Sequence, residues 1–268
     1  MSVFHKHDTQ VEETIEVGTA EDVEKLMRKY DRESNTRIWE GKPALVFNIM
    51  AAVFSAYCIW STLFSVAALE KRLTSFLAFI VILGYLNYPA SKHHVRVNYI
   101  PWYDYVIMVL GASAFMYYAL SYDSLVGVLT SASKMTTLHV VVGVIGILSL
   151  IELCRRCVGI PILCVMGAFV IYALTTGITP ARLIYTLFYS TGGVLATPVQ
   201  VCAKYIGIFI IFGAFLERTG IAAFFINMAN ALVGGFSGGP AKAAVVASAL
   251  EGMVSGSSVA NTVGSGSM

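Results

Sequence analysis

Charge is what this sequence has least of. Only 13% of its 268 residues are Asp, Glu, Lys or Arg, against roughly 25% in a soluble globular chain. The shortage is uneven. Residues 1–43 hold 7 Lys/Arg and 10 Asp/Glu, half of the 34, and the remaining 225 residues share 17. So few charges cannot cover a water-facing surface, which excludes a soluble globular domain for most of the chain and makes lipid its solvent. A net charge of +2 leaves no basic footprint for nucleic acid. Cysteine is sparse as well: Cys58, Cys154, Cys157, Cys164 and Cys202. Cys154 and Cys157 have CxxC spacing, but without a nearby His or second CxxC they make no transition-metal or redox site, and packing at a membrane edge accounts for them. Catalytic signatures are missing too. There is no GxxxxGK[ST] loop, no HExxH and no GxSxG elbow. Asp104, Glu152, Glu217 and Glu251 fall on separate segments and form no evident acid–base pair. Glu152 and Glu217 each sit beside arginine at a span boundary, where ion pairing is the default. Neither an enzyme nor an organic cofactor is expected.

What is present is long hydrophobic runs. A membrane helix needs about 20 mostly apolar residues to cross roughly 30 Å of hydrocarbon. Seven segments qualify as candidates: Ala44–Leu69, Leu73–Ala90, Ile100–Tyr122, Leu138–Cys154, Val158–Thr176, Val201–Leu216 and the weaker Ile221–Val233. Pro101-Trp-Tyr-Asp-Tyr105 opens the third with the aromatic and polar residues of the headgroup level. Residues 1–43 are acidic and lack an apolar h-region, so they read as a soluble tail and not as a signal peptide. With the N-terminus inside, 12 basic residues lie on the inner side, against Lys71, Arg72, Lys134 and Arg182 outside. The positive-inside rule therefore favours a cytoplasmic N-terminus. Between Thr179 and Pro198, Leu183, Ile184, Leu187 and Phe188 recur at helical spacing. Two readings fit them: an amphipathic helix lying in the interface, or a helix packed on neighbouring spans.

The C-terminal stretch differs in composition. Of the 34 residues from Gly234 to Ser267, 8 are Gly and 7 are Ser. A Gly-Gly-Phe-Ser-Gly-Gly-Pro turn precedes an apolar helix, which breaks at Ser255-Gly-Ser-Ser258. Carbonyls and hydroxyls at such a break can coordinate Na⁺, and exposed N–H groups can hold an anion. In lipid the break is tolerated only where it is buried or lines a cavity. A tightly packed small-residue helix interface explains the composition equally well.

Gly207-Ile-Phe-Ile-Ile-Phe-Gly-Ala-Phe-Leu-Glu-Arg-Thr-Gly220, the run Gly238–Leu250 and Ser255-Gly-Ser-Ser-Val-Ala-Asn261 resemble the fused permease subunits of tripartite ATP-independent periplasmic (TRAP) transporters. Leu150–Gly159 is similar to the segment that joins the family's small and large membrane components. The resemblance is specific over about residues 138–268 and mainly topological over 44–137. It says nothing of the charged tail over 1–43, read above as cytoplasmic; it implies a four-helix small-component-like domain over 44–157 and the N-terminal part of a large component over 158–268. The fold implied is all-α and polytopic, about seven transmembrane helices plus the first re-entrant hairpin of an elevator-type transporter. The function implied is sodium-coupled import of an organic anion, often a carboxylate. A periplasmic binding protein, commonly of the TAXI type in fused members, would deliver it to the bacterial inner membrane. Ser255, Gly256, Ser257, Ser258 and Asn261 would form the sodium site at the hairpin break, with Thr262 and Gly264 on the substrate side. Glu251 departs from the family, which usually carries an apolar residue such as Phe there. The sequence ends at Met268 just after that break, whereas related permeases continue into a second, inverted repeat. These residues alone are therefore expected not to transport. The alternative from another class is a membrane assembly or anchoring protein whose small-residue helices only pack.

Overall fold

The computed structural model describes residues 36–37, 39–90, 98–130 and 134–253. Its elements are helical, and there is no strand among the described residues. The first helix, α1 (Lys42–Leu63), starts after Gly41 with Pro43 in its first turn and buries only Cys58 and Ser61. Nearly all of its surface thus faces outward, as a lipid-solvated helix requires. It ends six residues before the expected Leu69, because the chain turns there and the Ala67 amide reaches the Ser65 hydroxyl at 3.4 Å. The next helix, α2 (Leu69–Asn87), takes Glu70, Lys71 and Arg72 into its first turn. Arg72 Nε donates to Ser61 Oγ on α1 at 3.3 Å.

Helix α3 (Trp102–Leu120) begins at Pro101, which needs no donor at that position. A short helix that periodicity did not signal, α4 (Tyr122–Thr130), follows a turn at Ser121. Helix α5 (Thr137–Cys157) is started by a box in which the Thr136 amide donates to His139 Nδ1 at 3.1 Å. It continues past the expected Cys154, so Arg155 and Arg156 form its last turn, where cations complement the helix dipole. Gly159, at φ 106°, makes the bend that a side chain would strain, and Pro161 opens α6 (Ile160–Thr175), which buries no residue.

Helix α7 (Pro180–Ile184) widens into a π-helical turn, Tyr185–Tyr189. Then α8 (Thr197–Val201) runs through a second π turn, Cys202–Ile206, into α9 (Gly207–Arg218). This rod starts four residues before the expected Val201. The last pair is α10 (Ile221–Val233) and α11 (Gly239–Gly252).

By length and apolar composition, four of these can cross a membrane: Lys42–Leu63, Trp102–Leu120, Thr137–Cys157 and Thr197–Leu216. Helix α2 carries three charges in its first turn, and α6 and α10 are shorter than a full span. The protein is therefore an all-α, polytopic membrane protein.

One core holds the first half together. Leu73, Val81 and Tyr85 of α2, Phe115 and Tyr118 of α3, Leu125 of α4 and Leu153 of α5 are buried with Phe188, Tyr189 and Leu195. On α5 the buried positions are Gly143, Gly146, Ser149, Leu153 and Arg156, a single face at helical spacing. A Cβ on Gly146 would collide with the Phe188 ring, and one on Gly111 of α3 would collide with Ser149. Close approach of small residues replaces the hydrophobic driving force that lipid does not supply.

This decides between the two readings of 179–198. Phe188 and Tyr189 are each 2% exposed. Tyr118 Oη donates to the Tyr189 carbonyl at 3.2 Å, Tyr189 Oη to the His139 carbonyl at 2.8 Å, and Tyr185 Oη to the Leu129 carbonyl at 2.8 Å. The segment packs on neighbouring helices. Its two tyrosines, with Tyr118 of α3, bring apolar bodies with hydroxyls that satisfy carbonyls inside the bundle.

Candidate functional site

Two places in the fold concentrate chemistry. The first is the helical hairpin α10–α11. Gly234–Gly238 connects the two helices, and Gly238 takes a left-handed φ of 74° immediately before α11. The contact between them is built from alanine: Ala229, Ala243 and Ala247 are 0% exposed, flanked by Ile226, Val233 and Val246. Glu251 follows Ala247 by one turn on the same face and is 6% exposed. Its Oε1 has no hydrogen-bond partner among the described residues. Lys242, on the same helix, holds its Nζ 5.8 Å from the centroid of the Phe236 ring. The residues named for the sodium site, Ser255, Gly256, Ser257, Ser258 and Asn261, lie outside the described residues, as do Thr262 and Gly264. The structure places the helix that leads to them and ends there.

The second place is a buried ionic cluster that the sequence reading did not assemble. Asp104, at 1% side-chain exposure, accepts from Arg156 Nη2 at 2.7 Å through Oδ1 and from Arg37 Nη2 through Oδ2. Arg156 Nε reaches Glu152 Oε1 at 2.9 Å, and Arg155 binds both oxygens of Glu152 at 2.7 Å each. The expected pairing of Glu152 with its neighbouring arginines is thus present. Asp104, by contrast, is not isolated. The guanidinium of Arg156 also stacks 4.6 Å above the Tyr85 ring. Arg37 adds a bond from Nη1 to the Tyr99 carbonyl at 3.3 Å, and its amide donates to the Asn87 carbonyl at 2.8 Å. Part of the charged leader is therefore docked on the bundle, between the end of α2 and the start of α3. Asn98 strengthens the dock by exchanging two bonds with the Glu40 backbone, at 2.9 and 3.0 Å.

The Asp104–Arg156 pairing follows once the α3–α5 seam is known. Asp104 is seven residues before Gly111 on the buried face of α3, and Arg156 seven after Ser149 on the buried face of α5. Gly111 and Ser149 touch. Two opposite charges on the two halves of one packed seam must meet. The partnership of Arg37, 67 positions from Asp104, had no comparable signal. Among the described residues the five cysteines are free thiols. Glu217 lies in α9, and its side chain is outside what the structure describes.

Comparison with known proteins bears on the second half of the chain. Residues 144–268 match the family model of the tripartite ATP-independent periplasmic transporter, DctM component. Comparison with curated proteins and with solved structures gives no match. The matched region begins within α5 and includes α6 to α11, the hairpin and the Gly/Ser-rich stretch after it. Residues 144–268, a little under half of the chain, are thus similar to the permease-type subunits of TRAP transporters.

Proposed function

We propose that this protein is a TRAP permease component that works by sodium-coupled secondary transport, importing an organic anion of the carboxylate class that a TAXI-type periplasmic binding protein hands over. The proposal places residues 44–157 as a small-component-like domain fused to the first part of a large component over 158–268. It sets the protein in the inner membrane with its N-terminus in the cytoplasm. One observation carries this reading: within the family match, a hairpin of closely packed alanines leads directly into Ser255-Gly-Ser-Ser-Val-Ala-Asn261. A rigid helix pair supports such a break. Hydroxyls of Ser255, Ser257 and Ser258, the Asn261 amide oxygen and the carbonyl of Gly256 are hard oxygen donors of the kind Na⁺ takes. Thr262 and Gly264 would face the substrate carboxylate. Alternating access would then carry the loaded hairpin across the membrane, with the gradient supplying the work.

The test is uptake of labelled organic acids into proteoliposomes holding the full reading frame that contains these residues, with the binding protein added. An inward Na⁺ gradient should stimulate uptake, and Ser257→Ala and Asn261→Ala should each reduce that stimulation about tenfold, the equivalent of ~1.4 kcal/mol in ion affinity. Unchanged sodium dependence in both variants would favour the anchoring reading, in which the small residues only pack.

A further inference from the structure

Glu251 has no part in the site just proposed, and its surroundings ask for one. It is the penultimate residue of α11, whose last turn carries no basic residue. A helix C-terminus already holds a charge equivalent to roughly −0.5, so a carboxylate there meets an unfavourable field. The packed neighbour α10 reads IAAFFINMANALV and has no titratable side chain. The connection Gly234–Gly238 and residues 254–268 have none either. Lys242 is the one cationic side chain between residues 219 and 268. It lies nine positions away, about 13 Å along the helix axis, over the Phe236 ring. The antiparallel pairing brings the N-terminal end of α10 toward Glu251, but that partial charge supplies no hydrogen bond to Oε1. A side chain 6% exposed, with a buried oxygen left unpartnered, is a hard anionic ligand without its counterion.

We infer that Glu251 is the carboxylate ligand of a monovalent-cation site at the C-terminal end of α11, with Na⁺ as the ion. The case for a cation rests on the burial of Glu251 and its unpartnered Oε1, with no ion pair to it among the described residues. The choice of Na⁺ rests on the sodium-coupled reading above. The oxygen of Glu251 and the negative end of the helix dipole both favour a hard cation, and the apolar Ala229–Ala243–Ala247 contact keeps the site dry on one side.

Purified protein in detergent tests this without any substitution. A hydrophobic carbodiimide, which attacks carboxyl groups in apolar surroundings, should label Glu251, as read by mass spectrometry of the peptide that contains it. NaCl should slow the labelling about tenfold when present at about ten times its Kd, whereas choline chloride of equal ionic strength should not. Failure of Glu251 to label, or labelling indifferent to Na⁺, overturns the inference, because the carboxyl is then satisfied by protein. As a second measurement, Glu251→Gln should lose retention of ²²Na⁺ while its helical circular dichroism stays that of the parent; undiminished retention also overturns it. Ser257→Ala separates the two sites. Sodium protection of Glu251 that survives this variant, beside sodium-independent uptake in it, means that Glu251 holds its own ion. Loss of sodium-coupled uptake in Ser257→Ala with Glu251 never protected leaves the break site standing and removes this one.

Discussion

Asp104 is the residue on which the first half of the molecule turns. It is buried with two guanidiniums, Arg37 and Arg156, and each of the three is tolerable there only because of the others. Removing the carboxylate in Asp104→Asn leaves two buried cations facing a neutral amide, and the expected loss is about 3–5 kcal/mol of stability. Denaturant unfolding in detergent reads it as a lower midpoint. Replacing all three together, Asp104→Leu with Arg37→Met and Arg156→Met, should recover most of the loss, since apolar side chains of similar volume avoid the desolvation cost. Arg155 makes the contrast. Its side chain is 40% exposed, solvent screens its bond to Glu152, and Arg155→Ala should cost only about 0.2–1 kcal/mol. A loss of equal size at both positions would show that burial does not govern this cluster.

At the scale of elements, α5 is the organising helix. Its buried face is small residues at Gly143, Gly146 and Ser149, then Leu153, then a charge at Arg156. The small end receives the π turn after α7, and the charged end receives Asp104. Phe188 lies 5.2 Å from the Phe115 ring and is packed against the surface of Gly146. Gly146→Leu should therefore overpack the seam at about 1–3 kcal/mol, and Phe188→Ala should open a cavity at about 3–5 kcal/mol. In the double variant the added Leu occupies the space the ring vacates, so the combined loss should fall below the sum of the two. Additive losses would mean that the two side chains do not share that space. Hydropathy could locate this segment's apolar residues but not their partner, because an apolar stripe suits lipid and a protein seam alike. The decision lay in the tyrosine hydroxyls, which find carbonyls only in the packed arrangement.

For the whole molecule, the solvent matters more than the core. Very little of Thr197–Leu216 and of Lys42–Leu63 is buried in the structure, so these helices present themselves to lipid along most of their surface. Phe209, 54% exposed near the middle of the Thr197–Leu216 span, tests this. Phe209→Lys should cost about 2.5–3.5 kcal/mol of membrane insertion, read as a fall in the fraction that resists alkaline extraction. A surface position in water would tolerate the same change within about 0.5 kcal/mol. Orientation is a property of this scale too. A reporter active only in the periplasm, fused to the N-terminus, should stay inactive, and one active only in the cytoplasm should work. The reverse pattern would invert the whole bundle.

The chain's solvent, its helical spans and its kinship over residues 144–268 were legible in the sequence, because hydropathy, charge scarcity and short Gly/Ser motifs are local properties. Ser255, Gly256, Ser257, Ser258 and Asn261 were named through the family resemblance, and they lie outside the described residues. Tertiary structure alone decided which charges meet. Arg37, Asp104 and Arg156 are separated by 67 and 52 positions, and nothing local distinguishes a paired buried carboxylate from a solvated one. It likewise decided that 179–198 packs inside, that α4 exists, and that part of the charged leader is bound to the bundle. Glu251 joins both levels. Its residue type was visible at once, but only the alanine-tight hairpin shows it buried with an unpartnered oxygen, the observation on which the proposed ion site rests.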